Sequence, residues 1–142
     1  MRPSLHLLLV MTLSFTAADE LTDECLACMC FVSSNGCTMP EPVCQNNGFG
    51  EVCGPWAITL YYWMDGGHQD GDFYKCVEDW DCNESTVRSY LNRYVTSPYA
   101  DCQYYARTHA GGPNGPNLDF TLDYWFQVKA CLDYSLFTPS PA

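Results

Sequence analysis

The sequence predicts an α+β domain, mostly helical, with a small loop-and-strand subregion near its N-terminus and a framework of disulfides. Three observations carry that reading. Ten of the 142 residues are cysteine, about 7% of the chain and near the range of disulfide scaffolds. Val87, Tyr90, Leu91, Tyr94 and Val95 fall at i, i+3, i+4, i+7 and i+8, one apolar face of a helix. Residues 33–53 are instead rich in Ser, Asn, Gly, Pro and Cys, a composition of loops and short hairpins.

The chain opens on a targeting signal. Met1-Arg2 supplies a positive start, Leu5 to Phe15 is a short apolar run, and Ser14-Phe15-Thr16-Ala17-Ala18 suits signal-peptidase cleavage. Residues 1–18 are thus expected to be a signal peptide cut after Ala18. Residues 19–142 are expected to form one secreted, extracellular domain. Loss of Arg2 takes the net charge from −11 for the whole chain to −12. No other apolar run approaches the roughly 20 residues that span a bilayer, so no membrane partner is expected after cleavage. So acidic a chain is unsuited to nucleic acid, whose phosphates need Lys or Arg, and to anionic membranes or cell walls. An even set of cysteines in an oxidising compartment reads as five disulfides. The cluster Cys25-x-x-Cys28-x-Cys30 lacks a downstream partner pair at zinc-finger spacing, so no metal and no cofactor is expected.

The elements follow in order. Thr22-Asp23-Glu24 starts a helix running over Leu21–Cys30, with acids in its first turn. Val52–Tyr62 is β-branched and aromatic and is expected to begin as a strand, followed by a Gly-rich loop at Gly66–Asp72. Asn83 or Ser85 is expected to cap the helix that carries Val87–Val95, with Pro98 beyond its end. A second helix fits Asp101–His109, stopped by Gly111-Gly112-Pro113. A third fits Asp119–Leu132, where Phe120, Tyr124, Val128 and Cys131 form a stripe. These aromatic stripes are read as core, and the tail from Thr138 to Ala142 as frayed.

Several blocks resemble one known family, the invertebrate-type (i-type) lysozymes, which include the destabilases. They are Cys25-Leu-Ala-Cys28-Met-Cys30, Cys53-Gly-Pro-Trp-Ala-Ile58, Tyr62-Trp-Met-Asp65, Val87-Arg-Ser-Tyr-Leu-Asn-Arg-Tyr94, Tyr105-Ala-Arg-Thr-His-Ala-Gly-Gly-Pro113 and Tyr124-Trp125. The resemblance runs from about Leu21 to Leu132. It implies a lysozyme-like α+β fold with a sugar-binding cleft. The implied activity is hydrolysis of the β-1,4 bond between N-acetylmuramic acid and N-acetylglucosamine in peptidoglycan, with chitin oligomers or isopeptide bonds cleaved by some members. Peptidoglycan or a chitin-type oligosaccharide is the implied partner of a monomeric protein. The resemblance also implies the pairings Cys25–Cys102, Cys28–Cys131, Cys30–Cys37, Cys44–Cys53 and Cys76–Cys82. Fuller members carry fourteen cysteines. Gly66 and Thr86 stand here in place of one bonded pair, and Pro98 and Pro116 in place of another.

Glycoside hydrolysis of this kind needs two carboxyl groups, one protonated as general acid and one ionised. The family's Glu position is Ser33 here, or Ser34 if a one-residue insertion is allowed for, and its Asp position is Asn47. Neither residue supplies the missing chemistry. Loss of general acid catalysis alone typically costs ~10²–10⁴-fold. Glu41 and Glu51 are the nearby acids, read as solvated loop residues, with Glu51 the fallback for a relocated carboxylate. Gly50 and Thr59 stand where some destabilases have Ser and Lys, and Ala57 where the family has Gln. Trp56, Tyr61, Tyr62 and Trp63 offer flat surfaces to sugar rings, with Asp65 as acceptor. Trp56 is read as a cleft residue, and Trp63 as core or cleft alike. His109 is retained and reads as a helix C-terminal residue or a binding-site group. Asn83-Glu84-Ser85 is an N-glycosylation sequon or an unused cap, and Asp70-Gly71-Asp72 a solvated acidic loop rather than a calcium site. The expected protein is a saccharide-binding or repurposed lysozyme homologue without the two catalytic carboxylates. The alternative is an active muramidase or chitinase-like enzyme that uses a carboxylate such as Glu51.

Overall fold

The computed structural model describes residues 21–137. The expected signal peptide and the tail from Thr138 onward lie outside the described residues. The element order is α1 (Asp23–Ser34), β1 (Cys44–Asn46), β2 (Glu51–Cys53), α2 (Leu60–Asp65), α3 (Phe73–Glu78), α4 (Trp80–Tyr94), α5 (Cys102–Gly111) and α6 (Thr121–Phe137). Short 3-10 turns sit at Gln69–Gly71 and Gly115–Asn117. The α+β reading holds.

Five helices start in the same way. A side-chain oxygen at the N-cap accepts from the backbone N–H three residues on, satisfying a donor that the helix leaves open. Thr22 caps α1, Thr59 α2, Asp72 α3, Asp79 α4 and Asp101 α5, at 2.8 to 3.1 Å. Asp79 replaces the expected Asn83 or Ser85, so α4 begins at Trp80, ahead of both. α1 continues past Cys30 to Ser34, where Asn35 adopts a left-handed conformation and returns its N–H to the carbonyl of Phe31. Val52–Tyr62 begins as a strand, as expected, but only through Cys53; Leu60 onward is helix. Here tertiary burial overrides β propensity, because Tyr62 and Trp63 both enter the core from one face of α2. α3 and the extension of α6 to Phe137 are likewise additions. Phe120 precedes α6 and is 68% exposed, so it does not belong to the buried stripe.

The sheet is one antiparallel hairpin, β1 beside β2, with Cys44 opposite Cys53 and Asn46 opposite Glu51. The core lies among the helices: Met29, Cys30, Val77, Val87, Leu91, Ala106 and Val128 are fully buried. α1 packs on α5 and α6. All five disulfides are present with the expected pairing, and no described cysteine is free. Cys25–Cys102 and Cys28–Cys131 tie α1 to the distant α5 and α6, while the others close loops of fewer than ten residues. Gly66 abuts Thr86: a Cβ on Gly66 would lie 2.8 Å from the Thr86 methyl carbon. The threonine side chain thus fills the space where the resemblance places a bond.

Asn83 corrects the glycosylation expectation. It is fully buried in the first turns of α4, against Gly54 and the Trp56 backbone. Its Nδ2 has no partner and no route to solvent, so a glycan on it is incompatible with this packing.

Candidate ligand cleft

A cleft of about 570 Å³ opens between the hairpin and the helices. Its walls include Ser33 from the end of α1, Asn47 and Val52 from the hairpin, Tyr61, Tyr62 and Asp65 from α2, His109 from α5, and Tyr124 and Gln127 from α6. The two positions where the resemblance expects catalytic carboxylates therefore face one space. Ser34 does not share it: its hydroxyl donates to the Cys30 carbonyl and accepts from Thr38 N–H.

Ser33 is held by a relay from α6. The Tyr124 hydroxyl donates to the Met29 carbonyl at 3.1 Å, which leaves its oxygen to accept from Ser33 Oγ at 3.0 Å. Burial pushes the Tyr124 phenol well up, against a small opposing effect of the Ser33 bond. It stays protonated. Ser33 is thus a neutral hydroxyl with a neutral neighbour, and neither group is an acid at ordinary pH. Asn47 is exposed in the hairpin turn, where its Oδ1 accepts from the Phe49 N–H at 2.9 Å. It shapes its own loop and carries no charge.

His109 is a floor residue with both ring nitrogens engaged. Nε2 lies 3.0 Å from the Trp56 carbonyl, a pure acceptor, so Nε2 carries the proton. Nδ1 then accepts from the Tyr62 hydroxyl at 2.8 Å. Burial moves the His109 pKa down to about 4, only partly offset by the Trp56 carbonyl. Tyr62 stacks on Tyr90 with ring centroids 3.6 Å apart. Burial raises Tyr62 well above the ordinary phenol value and takes Tyr90 to about 12, with smaller contributions from neighbouring phenols and, at Tyr90, from Asp65.

The other expected site residues divide. Trp56 borders the cleft, but its ring is 2% exposed and its Nε1 donates to the Leu26 carbonyl at 3.1 Å. It is a core ring that lends the cleft its backbone. Trp63 is also core, donating to the Gln69 carbonyl at 2.9 Å. The ring presented to the cleft is Tyr61, 75% exposed. Asp65 lines the cleft and is the single carboxylate among its walls. Glu51 stands outside: it is exposed on β2 and accepts from the Tyr74 hydroxyl at 2.9 Å. A relocated carboxylate at Glu51 is therefore not supported, because its side chain is turned to another partner. Glu51 lies near Cys44 and Cys53, but those sulfurs are joined to each other and offer no thiolate to a metal. Sequence reading placed Tyr124 in an apolar stripe and missed its polar role. Nothing in the chain announces a bond between residues 91 positions apart.

Comparison with known proteins shows the family. The family model described as Destabilase matches residues 22–131. The lysozyme of Ostrea edulis is 37% identical over 125 residues, covering 86% of this chain and 90% of that protein. The crystal structure of Tapes japonica lysozyme superposes with a TM-score of 0.70 at 33% identity, covering 79% of this chain and 92% of that one. Meretrix lusoria lysozyme, solved in complex with Aeromonas hydrophila PliI, gives a TM-score of 0.68 at 26% identity, covering 77% and 88%. The chain belongs to the destabilase family of invertebrate-type lysozymes.

Proposed function

We propose that the protein is a secreted saccharide-binding member of this family that does not hydrolyse peptidoglycan by the two-carboxylate route. The observation that carries the reading is the pair Ser33 and Asn47, both on the cleft wall. The route needs a proton donor beside the leaving oxygen and an anion beside the developing oxocarbenium ion. Ser33 at Tyr124 supplies neither, and Asn47 is neutral. Asp65 alone leaves one half of the pair unfilled. The space itself remains suited to sugars: a concave site with the exposed Tyr61 ring and a few polar groups at its walls. Peptidoglycan and chitin-type oligosaccharides are the ligand classes this supports.

Secretion is supported by the N-terminal signal pattern and by five disulfides, which persist in oxidising compartments. No described helix is long and apolar enough to cross a membrane.

The test pairs a lysis assay on bacterial cell walls with a pull-down on insoluble peptidoglycan and chitin. Binding without lysis is the expected result. Turnover comparable to carboxylate-bearing relatives would overturn the non-catalytic reading. Absence of binding to both polymers would overturn the saccharide reading.

A further inference from the structure

The cleft has a charge character that its missing carboxylates do not explain. No Lys or Arg lines it. The described cations are all placed elsewhere. Arg88 is paired with Asp23 and Glu84, and Lys129 with Asp133. Arg107 donates to the Thr121 hydroxyl and the Leu118 carbonyl. Arg93 donates to the backbone carbonyl of Asp65 at 3.2 Å and lies over the Tyr94 ring, without an ion pair to the Asp65 carboxylate. Lys75 is exposed on α3. His109 is neutral, with both nitrogens occupied. On the negative side, the half-buried Asp65 lines the cleft. Exposed Asp123, one turn before it on α6, accepts from the Nε2 of the cleft-lining Gln127 at 3.2 Å. The whole chain carries −11.

An anionic glycan entering this space meets no cation and is repelled by the field of the whole protein. A glycan bearing ammonium groups is drawn in, and one of those groups gains a carboxylate partner. We infer that the cleft prefers amine-bearing glycans, the glucosamine-type units left by N-deacetylation, over both acetylated and muramic-acid-bearing chains, with Asp65 as the charged contact. This rests on the saccharide-binding reading and names the ligand class for that same site.

The experiment is calorimetric titration of the mature protein at mildly acid pH with three probes. They are the N-acetylglucosamine hexasaccharide, the glucosamine hexasaccharide and a soluble muramic-acid-containing glycan. At low salt the glucosamine probe is expected to bind about fivefold more tightly than the acetylated one, the scale of one partly exposed ion pair. The gap is expected to narrow at about 0.3 M salt, where the screening length is shorter than the cleft. The muramyl probe is expected to bind most weakly. Asp65→Asn removes the charge with little change of side-chain shape and is expected to bring the glucosamine affinity down to that of the acetylated probe. Asp23→Asn removes the same charge from a site far outside the cleft and is expected to leave the gap in place. If the acetylated probe binds and the glucosamine probe binds no better, the amine preference is wrong while saccharide binding stands. A gap that survives Asp65→Asn, or that Asp23→Asn erases equally, overturns the assignment to Asp65. If no probe binds, saccharide binding itself falls.

Discussion

The two walls of the cleft are built on different principles. On the helical wall, Ser33 is fixed by Tyr124 from α6, and α1 beneath it is bonded covalently to α5 and α6. On the hairpin wall, Asn47 bonds within its own turn, accepting from the Phe49 N–H and donating its N–H to the Gly50 carbonyl, and Phe49 is 99% exposed. One wall is held by contacts between residues about a hundred positions apart; the other is held by its own turn and disulfide, with the Glu51–Tyr74 bond reaching only 23 residues. The lesson is that the two positions where the resemblance expects carboxylates sit under different constraints. Ser33 is embedded in a half-buried polar relay, whereas Asn47 serves only its loop.

The largest effect expected from this contrast is covalent. Replacing Cys28 and Cys131 by alanine opens a bond across 103 residues, and replacing Cys44 and Cys53 opens one across 9. Loop-closure entropy assigns these about 4.7 and about 2.6 kcal/mol. Urea unfolding of the two double variants is expected to rank them in that order, and equal losses would break the comparison.

His109 gives the next effect, and it belongs to the helical side. Its pKa is about 4 in the folded protein, below the ordinary 6.5. Above that ordinary value neither the folded nor the unfolded state binds the proton, and the group contributes no pH dependence. Between 6.5 and about 4 the unfolded state takes up the proton and the folded state does not. Stability is therefore expected to fall with acidification through that window, by at most about 3 kcal/mol. Denaturation across that pH range is expected to show the slope in the native chain and a flatter profile in His109→Gln.

Tyr124→Phe removes the bond to Met29 and strands the Ser33 hydroxyl on the helical wall. A loss of about 1–2 kcal/mol in thermal or urea unfolding is expected. Asn47→Ala removes a single exposed turn bond on the hairpin wall, and a change within about 0.5 kcal/mol is expected. If Asn47→Ala costs as much as Tyr124→Phe in the same assay, the hairpin is coupled to the core and the contrast between walls fails.

Some of this was open to the sequence alone. The start at Thr22-Asp23-Glu24 and the stop at Gly111-Gly112-Pro113 marked α1 and α5, because such signals are local, although the capping roles of Thr22 and Asp101 emerged only in the structure. The apolar period from Val87 to Val95 gave the buried face of α4 for the same reason: it is local. The even cysteine count implied disulfides, although their pairing came with the family resemblance rather than from spacing. The absence of carboxylates at Ser33 and Asn47 was legible from register within the Cys-rich blocks. What tertiary structure alone decided depends on residues far apart in the chain. Trp56 became core because the Leu26 carbonyl waits for its indole N–H. Asn83 became buried because Gly54 closes over it. Glu51 turned to Tyr74, 23 residues away, and left the cleft with Asp65 as its single charge. Local patterns report which elements form; burial and partner choice are settled only when those elements meet.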